Sequence, residues 1–297
     1  MTEVTEIPRL LVLSANHTDS LSTLVGRYKE YVKEKPQNLS DLAYTLGARR
    51  EHLPYRTFLV TDGKEFVEGA QAIKPNSVSR LNFVFTGQGA QWAGMAKELI
   101  HDYPSARRDI EIMDQALQDL PHAPSWTILG ELELAGQDST EIPVLKAKAH
   151  IGLAEFAQPL CTAIQVVIVN LLRSWGINPG AVVGHSSGEI GGAYAANSIT
   201  MEEAIIIAFY RGHSTKQQKR AGGMVAVGLG RDAVSEYLVD GTVVACENSP
   251  SSVTISGDLN QLEVVSNAIK TASPTTFVRA LQVEMAYHSC KSWSRLS

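Results

Sequence analysis

Ala181-Val182-Val183-Gly184-His185-Ser186-Ser187-Gly188-Glu189 is the stretch whose reading decides the fold. Ala181 to Val183 is a short apolar run with the character of a buried strand, ending at Gly184. A helical pattern follows from Glu189 to Ala196. Between them, Gly184-His185-Ser186-Ser187-Gly188 has the spacing GxSxG. A serine on a sharp strand-to-helix turn sits in a strained backbone conformation with its hydroxyl presented, and small residues two before and two after let strand and helix approach. Ser186 is the candidate nucleophile. The run Gly212-His213-Ser214-Thr215-Lys216 lacks the closing glycine and lies on a helical stretch, so it is set aside.

Upstream, Leu160 to Leu172 is almost uniformly apolar, which predicts a buried helix. Pro159 is expected in its first turn and Gly176 at its C-terminal cap. Downstream, Thr200 with Glu203 three residues on is a capping box, so a helix starts near Met201 and carries Arg211. Further upstream, Leu81 to Phe85 reads as a strand entering Thr86-Gly87-Gln88-Gly89 ahead of a helix. In a dinucleotide loop the third glycine would fall at Trp92, which is too large, so the loop is read as a source of oxyanion-binding backbone N–H groups. Residues 222–283 read strand, helix, strand, strand, helix, strand, the ferredoxin-like order. The first block, about residues 8–78, reads as a small α+β module. It has strands at Arg9 to Ser14 and Arg56 to Thr61, helical patterns at Leu21 to Val32 and Leu39 to Leu46, and Lys74-Pro75-Asn76-Ser77 as a linker.

The chain has 297 residues, 44% hydrophobic and 19% charged, which excludes a disordered chain. The formal net charge of -5 argues against a protein that grips nucleic acid through phosphates. Cys161, Cys246 and Cys290 have no paired spacing, so neither a disulfide framework nor a zinc site is expected, and a reducing, cytoplasmic compartment suits them. Apolar stretches such as Ala204 to Phe209 are too short to span a bilayer, and the N-terminal residues carry no signal-peptide pattern.

A serine hydroxyl needs a base. Of the histidines, His185 is adjacent in sequence and is expected to point off the elbow in a supporting role. His288 follows the last strand of the third block, which should return the chain beside Ser186; His213 is the alternative. Arg211 is either a surface arginine or a bidentate clamp for a substrate carboxylate.

Four stretches taken together resemble a known family: Phe85-Thr86-Gly87-Gln88-Gly89-Ala90-Gln91-Trp92, Gly184-His185-Ser186-Ser187-Gly188-Glu189, Tyr210-Arg211-Gly212 and Ala286-Tyr287-His288-Ser289. They resemble the malonyl-CoA:acyl-carrier-protein acyltransferase domain of fungal highly reducing type I polyketide synthases, and the first block looks like the linker joining a ketosynthase to that domain. The resemblance runs from about Arg9 to Ser289. It implies an α/β fold: an α/β-hydrolase-like large subdomain with an inserted ferredoxin-like small subdomain, preceded by a small α+β linker module. The implied segments are 1–78 for the linker module, 79–220 for the large subdomain, 221–283 for the small subdomain and 284–297 for a truncated return to the large one.

The resemblance also implies roles. Ser186 would be acylated and His288 would be its base. The backbone N–H groups of Gln88 and Ser187 would form the oxyanion hole. Arg211 would pair with the malonyl carboxylate, and Gly184, His185 and Gly188 would shape the elbow. No metal and no bound redox cofactor is implied; malonyl-CoA and the phosphopantetheine of an acyl carrier protein are substrates, and a ketosynthase is a neighbour. Neither nucleic acid nor membrane is an implied partner. Asn197 stands where the family usually has glycine, a residue type that tolerates a left-handed cap. After Ser289 the family continues further than Cys290 to Ser297, so the chain is expected to be a piece of a larger synthase, impaired as an enzyme. The alternatives are a fragment that keeps only fold and docking, and a serine hydrolase or thioesterase. The hydrolase would need an acidic triad member between Ser186 and His288, where none is recognisable.

Overall fold

The structure is a computed structural model. It describes residues 7–69, 80–216, 222–281, 283 and 285–289. The expected linker Lys74 to Ser77, Cys290 and the final residues 290–297 lie outside the described residues. The chain divides into two compact units, 1–79 and 80–297.

In the first unit, β1 (Arg9–Ala15) is followed by α1 (Thr18–Glu34), α2 (Leu39–Tyr44), β2 (Tyr55–Thr61) and β3 (Phe66–Glu68), with the sheet order β1-β2-β3. Both pairings are antiparallel. Alternation puts Leu11, Leu13 and Leu59 on the face that meets Leu21, Val25 and Val32 of α1 and Leu39 of α2. Asp62-Gly63 ends β2, as its turn chemistry predicts, but the turn also starts a hairpin into β3, which three residues were too few to announce. Asp62 Oδ1 accepts the N–H groups of Lys64 and Glu65 at 2.8 and 2.9 Å.

The second unit opens with β4 (Asn82–Phe85). The loop after it does not run straight into a helix, contrary to expectation: turns carry the chain to Lys97. There α3 (Lys97–Asp102), α4 (Pro104–Gln118), α5 (Ile128–Ala135) and α6 (Ile142–His150) follow one another. The buried helix is longer than predicted. It is α7 (Ala154–Ser174), and Pro159 lies inside it rather than in its first turn. A proline there gives no N–H to the ladder. Packing on both sides holds the helix through that defect, because Ala157, Leu160 and Ala163 are all buried in the core. At 21 residues and mean hydropathy 1.4, α7 is long and apolar enough to cross a membrane by length and composition. This corrects the expectation that every apolar stretch is too short. More than half of that window is buried inside the protein, which is how a core helix passes the same test.

Gly176 closes α7 in a left-handed conformation (φ 76°). Its N–H reaches the Arg173 carbonyl and the Ile177 N–H reaches that of Leu172, the paired bonds of a Schellman cap. Next come β5 (Ala181–Gly184), parallel to β4, then α8 (Gly188–Ala195) and α9 (Met201–Lys216). Asn197 caps α8 at φ 57° with the same bond pattern, as its residue type allows. The Thr200–Glu203 capping box forms in both directions, at 2.8 and 3.1 Å.

The last portion is β6 (Gly223–Val227), α10 (Arg231–Ser235), β7 (Thr242–Ser249), β8 (Ser252–Gly257), α11 (Leu259–Ala272) and β9 (Val278–Ala280). Its antiparallel sheet has the order β7-β8-β6-β9, the ferredoxin-like arrangement expected from the element order. Val225, Val227, Val253 and Ile255 line the face that packs on Leu262, Val265 and Ile269 of α11.

Candidate active site

Two neighbouring strands place the reactive loops side by side. The parallel register pairs Phe85 with Gly184, so the residues that follow each strand, 86–88 and 185–187, leave the sheet together. Gln165 of α7 pins the first loop by donating to the Thr86 carbonyl at 2.9 Å. The elbow is as tight as its glycines suggest. A Cβ on Gly184 would collide with the Glu189 backbone, and one on Gly188 with the Phe85 carbonyl. Ser186 takes φ 53°, a left-handed conformation that costs a non-glycine residue energy and is typical of strained functional positions.

His288 stands opposite, also left-handed at φ 57°. Its Nε2 is 2.8 Å from Ser186 Oγ. In the tautomer with hydrogen on Nδ1, the Ser186 hydroxyl donates to Nε2, the geometry of a general base about to take that proton. Burial, then the charges of Arg211 and His185, pull the His288 pKa below the ordinary histidine value, with Glu189 opposing. The ring therefore stays neutral, and able to accept a proton, to lower pH. A turn supports this segment: Ser289, itself buried, donates to the Ala286 carbonyl at 2.7 Å.

Arg211 reaches the same oxygen from α9. Its Nη2 donates to Ser186 Oγ at 3.3 Å and its Nη1 to Gln158 Oε1 at 2.6 Å. Burial lowers its pKa, but a guanidinium remains charged. Gln158 is 1% exposed on α7 and was missed in the sequence. Its signal was a buried polar residue at the start of an apolar helix, which demands a partner. Gln158 Nε2 also contacts Gln88 Oε1 at 3.4 Å, tying the arginine to the loop after β4.

The alternative base, His213, lies elsewhere: its ring stacks on Phe209 and its Nδ1 is 3.7 Å from Glu155. His185 is among the residues that line the same pocket as Ser186. The opposite wall of that pocket comes from the ferredoxin-like sheet, through Met224, Cys246 and Thr254, a contribution that no motif announced. Burial raises the Cys246 pKa. Among the described residues no cluster of His, Cys, Asp or Glu could hold a metal ion.

Residues 82–292 match the family model for the acyl transferase domain. The chain belongs to the acyl transferase domain family. Residues 9–68 match a second model, described as CurL-like, PKS C-terminal. The chain is 52% identical over 282 residues to the highly reducing polyketide synthase gloL of Glarea lozoyensis, covering 95% of this chain and 11% of that protein. It is 44% identical over 280 residues to the squalestatin hexaketide synthase of a Phoma species, covering 94% of this chain and 11% of the relative. The acyltransferase thus spans about a tenth of these relatives' length. Among solved structures, the acyl transferase domain of ZmaA superposes with a TM-score of 0.81 at 22% identity, covering 97% of this chain and 66% of that one. The acyltransferase domain of module 8 of the salinomycin polyketide synthase gives 0.75 at 25%, covering 94% and 67%. The first of these shows the fold alone.

Proposed function

We propose that this acyltransferase moves a malonyl group from malonyl-CoA, through an ester on Ser186, to the phosphopantetheine thiol of an acyl carrier protein within a polyketide synthase. The observation that carries the reading is the convergence on Ser186 Oγ of His288 Nε2 at 2.8 Å and Arg211 Nη2 at 3.3 Å. In the first half-reaction the Ser186 proton passes to His288 Nε2 as Oγ bonds the thioester carbon. The oxyanion is met by the N–H groups of Gln88 and of Ser187, which lies at the open N-terminal end of α8. The C–S bond then breaks, and the His288 proton leaves with the CoA thiolate. In the second half the carrier thiol gives its proton to His288, attacks the ester carbon, and Ser186 departs and is reprotonated. Arg211 holds the malonyl carboxylate with the N–H groups it does not commit to Gln158.

Residues 1–78 are assigned as the module linking this domain to a ketosynthase, in keeping with the synthase-type match over 9–68. Free thiols at Cys161 and Cys246 support a reducing, cytoplasmic setting.

The test is mass spectrometry of the chain after mixing with malonyl-CoA. A malonyl adduct on Ser186, absent from Ser186→Ala, is the expected result. Release of malonate without an adduct would move the chain to the thioesterases. An unmodified chain with intact substrate would leave a docking fragment.

A further inference from the structure

Ser187 sits where a helix cap belongs and does not cap. It precedes α8, yet its side chain makes no hydrogen bond to its own helix. A serine at that position ordinarily accepts an N–H from the first turn. Here φ −63° and ψ −19° turn the hydroxyl away, and Ser187 Oγ instead accepts the backbone N–H of Gln88 at 3.0 Å across 99 positions of chain. Ser187 is 5% exposed and the bond is partly buried, with Gln88 at the pocket lining where water can reach its amide once the hydroxyl is removed. The approach depends on Gly87: a Cβ there would come within 2.7 Å of the His185 carbonyl and 3.4 Å of Ser187 Oγ. The next amide is held in a similar way, with Gly89 N–H donating to Gln91 Oε1 at 2.7 Å.

The Gln88 N–H is the group that the reaction above needs for its oxyanion, and in the resting protein it is already engaged. We propose that the Ser187 hydroxyl is a gate on the oxyanion site: it holds the Gln88 amide in the ground state and yields it to the tetrahedral oxyanion. The inference rests on the acyl-transfer reading of Ser186. Its physical basis is the difference between two exchanges. Trading a neutral hydroxyl for a neutral thioester carbonyl gains little. Trading it for an oxyanion gains, because charge-assisted hydrogen bonds are about twice as strong as neutral ones. The amide therefore binds the transition state selectively, and only such selective interactions raise the rate of the chemical step. The Ser187 hydroxyl touches no substrate atom in this scheme, unlike the Ser187 backbone N–H, and acts only by positioning the Gln88 amide.

The test is single-turnover loading of malonyl-CoA by the wild-type chain, Ser187→Ala and Ser187→Thr. Without the hydroxyl, the bound thioester carbonyl takes the amide before reaction. Ser187→Ala should then show a half-saturating concentration and a maximal loading rate both lowered by about two- to tenfold, the worth of one neutral hydrogen bond, with their ratio little changed. Ser187→Thr keeps a hydroxyl and should restore both. A fall in rate at unchanged half-saturation, no change in either quantity, or a threonine variant that behaves like alanine overturns the gate. A wild-type chain that takes no malonyl on Ser186 counts against the acyl-transfer reading instead. For that case a second readout stands apart from malonyl. A phosphonofluoridate forms a Ser186 Oγ–P bond as fluoride leaves and places a charged P–O oxygen at the elbow. The NMR signal of the Gln88 amide proton should move downfield on that reaction and should already be displaced in Ser187→Ala. An amide signal indifferent to both changes sinks the proposal.

Discussion

Arg211 has two terminal nitrogens and uses them differently. Nη1 is fixed on Gln158, and Nη2 leans toward Ser186 Oγ. That leaves a partly buried cation beside the proposed nucleophile, with two consequences. The first is recognition. A hydrogen bond to a charged partner is worth about 1.5–3 kcal/mol, so Arg211→Met should lower malonyl-CoA loading roughly tenfold to a hundredfold. Acetyl-CoA has no carboxylate to lose and should load as well as before or better. Equal losses for both thioesters would return Arg211 to a purely structural role. The second is proton affinity. The Arg211 charge is one of the causes that lower the His288 pKa, burial being the largest. The base works unprotonated, so the loading rate falls as pH drops through the His288 pKa, which lies below the ordinary value. Removing the cation raises that pKa, and the acid limb of the rate profile should move to higher pH in Arg211→Met. An unmoved limb would mean that burial alone sets it.

The elements that carry these residues hold them through end caps and close packing. Thr200 and Glu203 exchange hydrogen bonds at the start of α9, whose third turn brings Arg211 to the pocket. Thr200→Ala should cost about 1 kcal/mol of stability. For a unit of this size that is a Tm lower by about 2–4 °C. Loading at 25 °C should stay close to wild type, since Gln158 still holds the guanidinium. Gly212 behaves otherwise. A Cβ there would collide with the Ala154 carbonyl at the start of α7, and backbone cannot swing aside as a side chain can. Gly212→Ala should push α9 off α7, cost about 1–3 kcal/mol, and also reduce loading, because it moves the residue next to Arg211. Circular dichroism melts together with loading rates separate the two cases: stability alone falls for Thr200→Ala, and both quantities fall for Gly212→Ala.

At the scale of the whole molecule, the pocket is a junction of two sheets. The parallel pair β4–β5 brings Ser186 and the backbone amides proposed to bind the oxyanion, and the antiparallel sheet brings Met224, Cys246 and Thr254 as the facing wall. Ile255, fully buried beside Thr254, ties that wall to α11. Ile255→Ala should cost about 2–5 kcal/mol and loosen the wall without touching Ser186, so half-saturation by malonyl-CoA should rise more than the maximal loading rate falls. A rate loss with unchanged half-saturation would show that the wall takes no part in binding. What the sequence by itself determined about this protein was whatever short spacing encodes. The elbow, the capping box at Thr200, the left-handed caps at Gly176 and Asn197, and the βαββαβ order all follow from residue types a few positions apart. Each is a local backbone requirement that few residues satisfy. Tertiary structure decided the rest. His288 rather than His213 faces Ser186, though on spacing the two stood as alternatives. Pro159 sits inside a helix because the surrounding core outweighs one missing hydrogen bond, and length alone could not tell that helix from a membrane span. Gln158 on Arg211, His185 in the pocket wall and the Ser187 hydroxyl on the Gln88 amide were not legible. Each pairs groups distant in sequence or depends on a side-chain direction, and both are set by the register of β4 on β5 and the packing of α7 on α9.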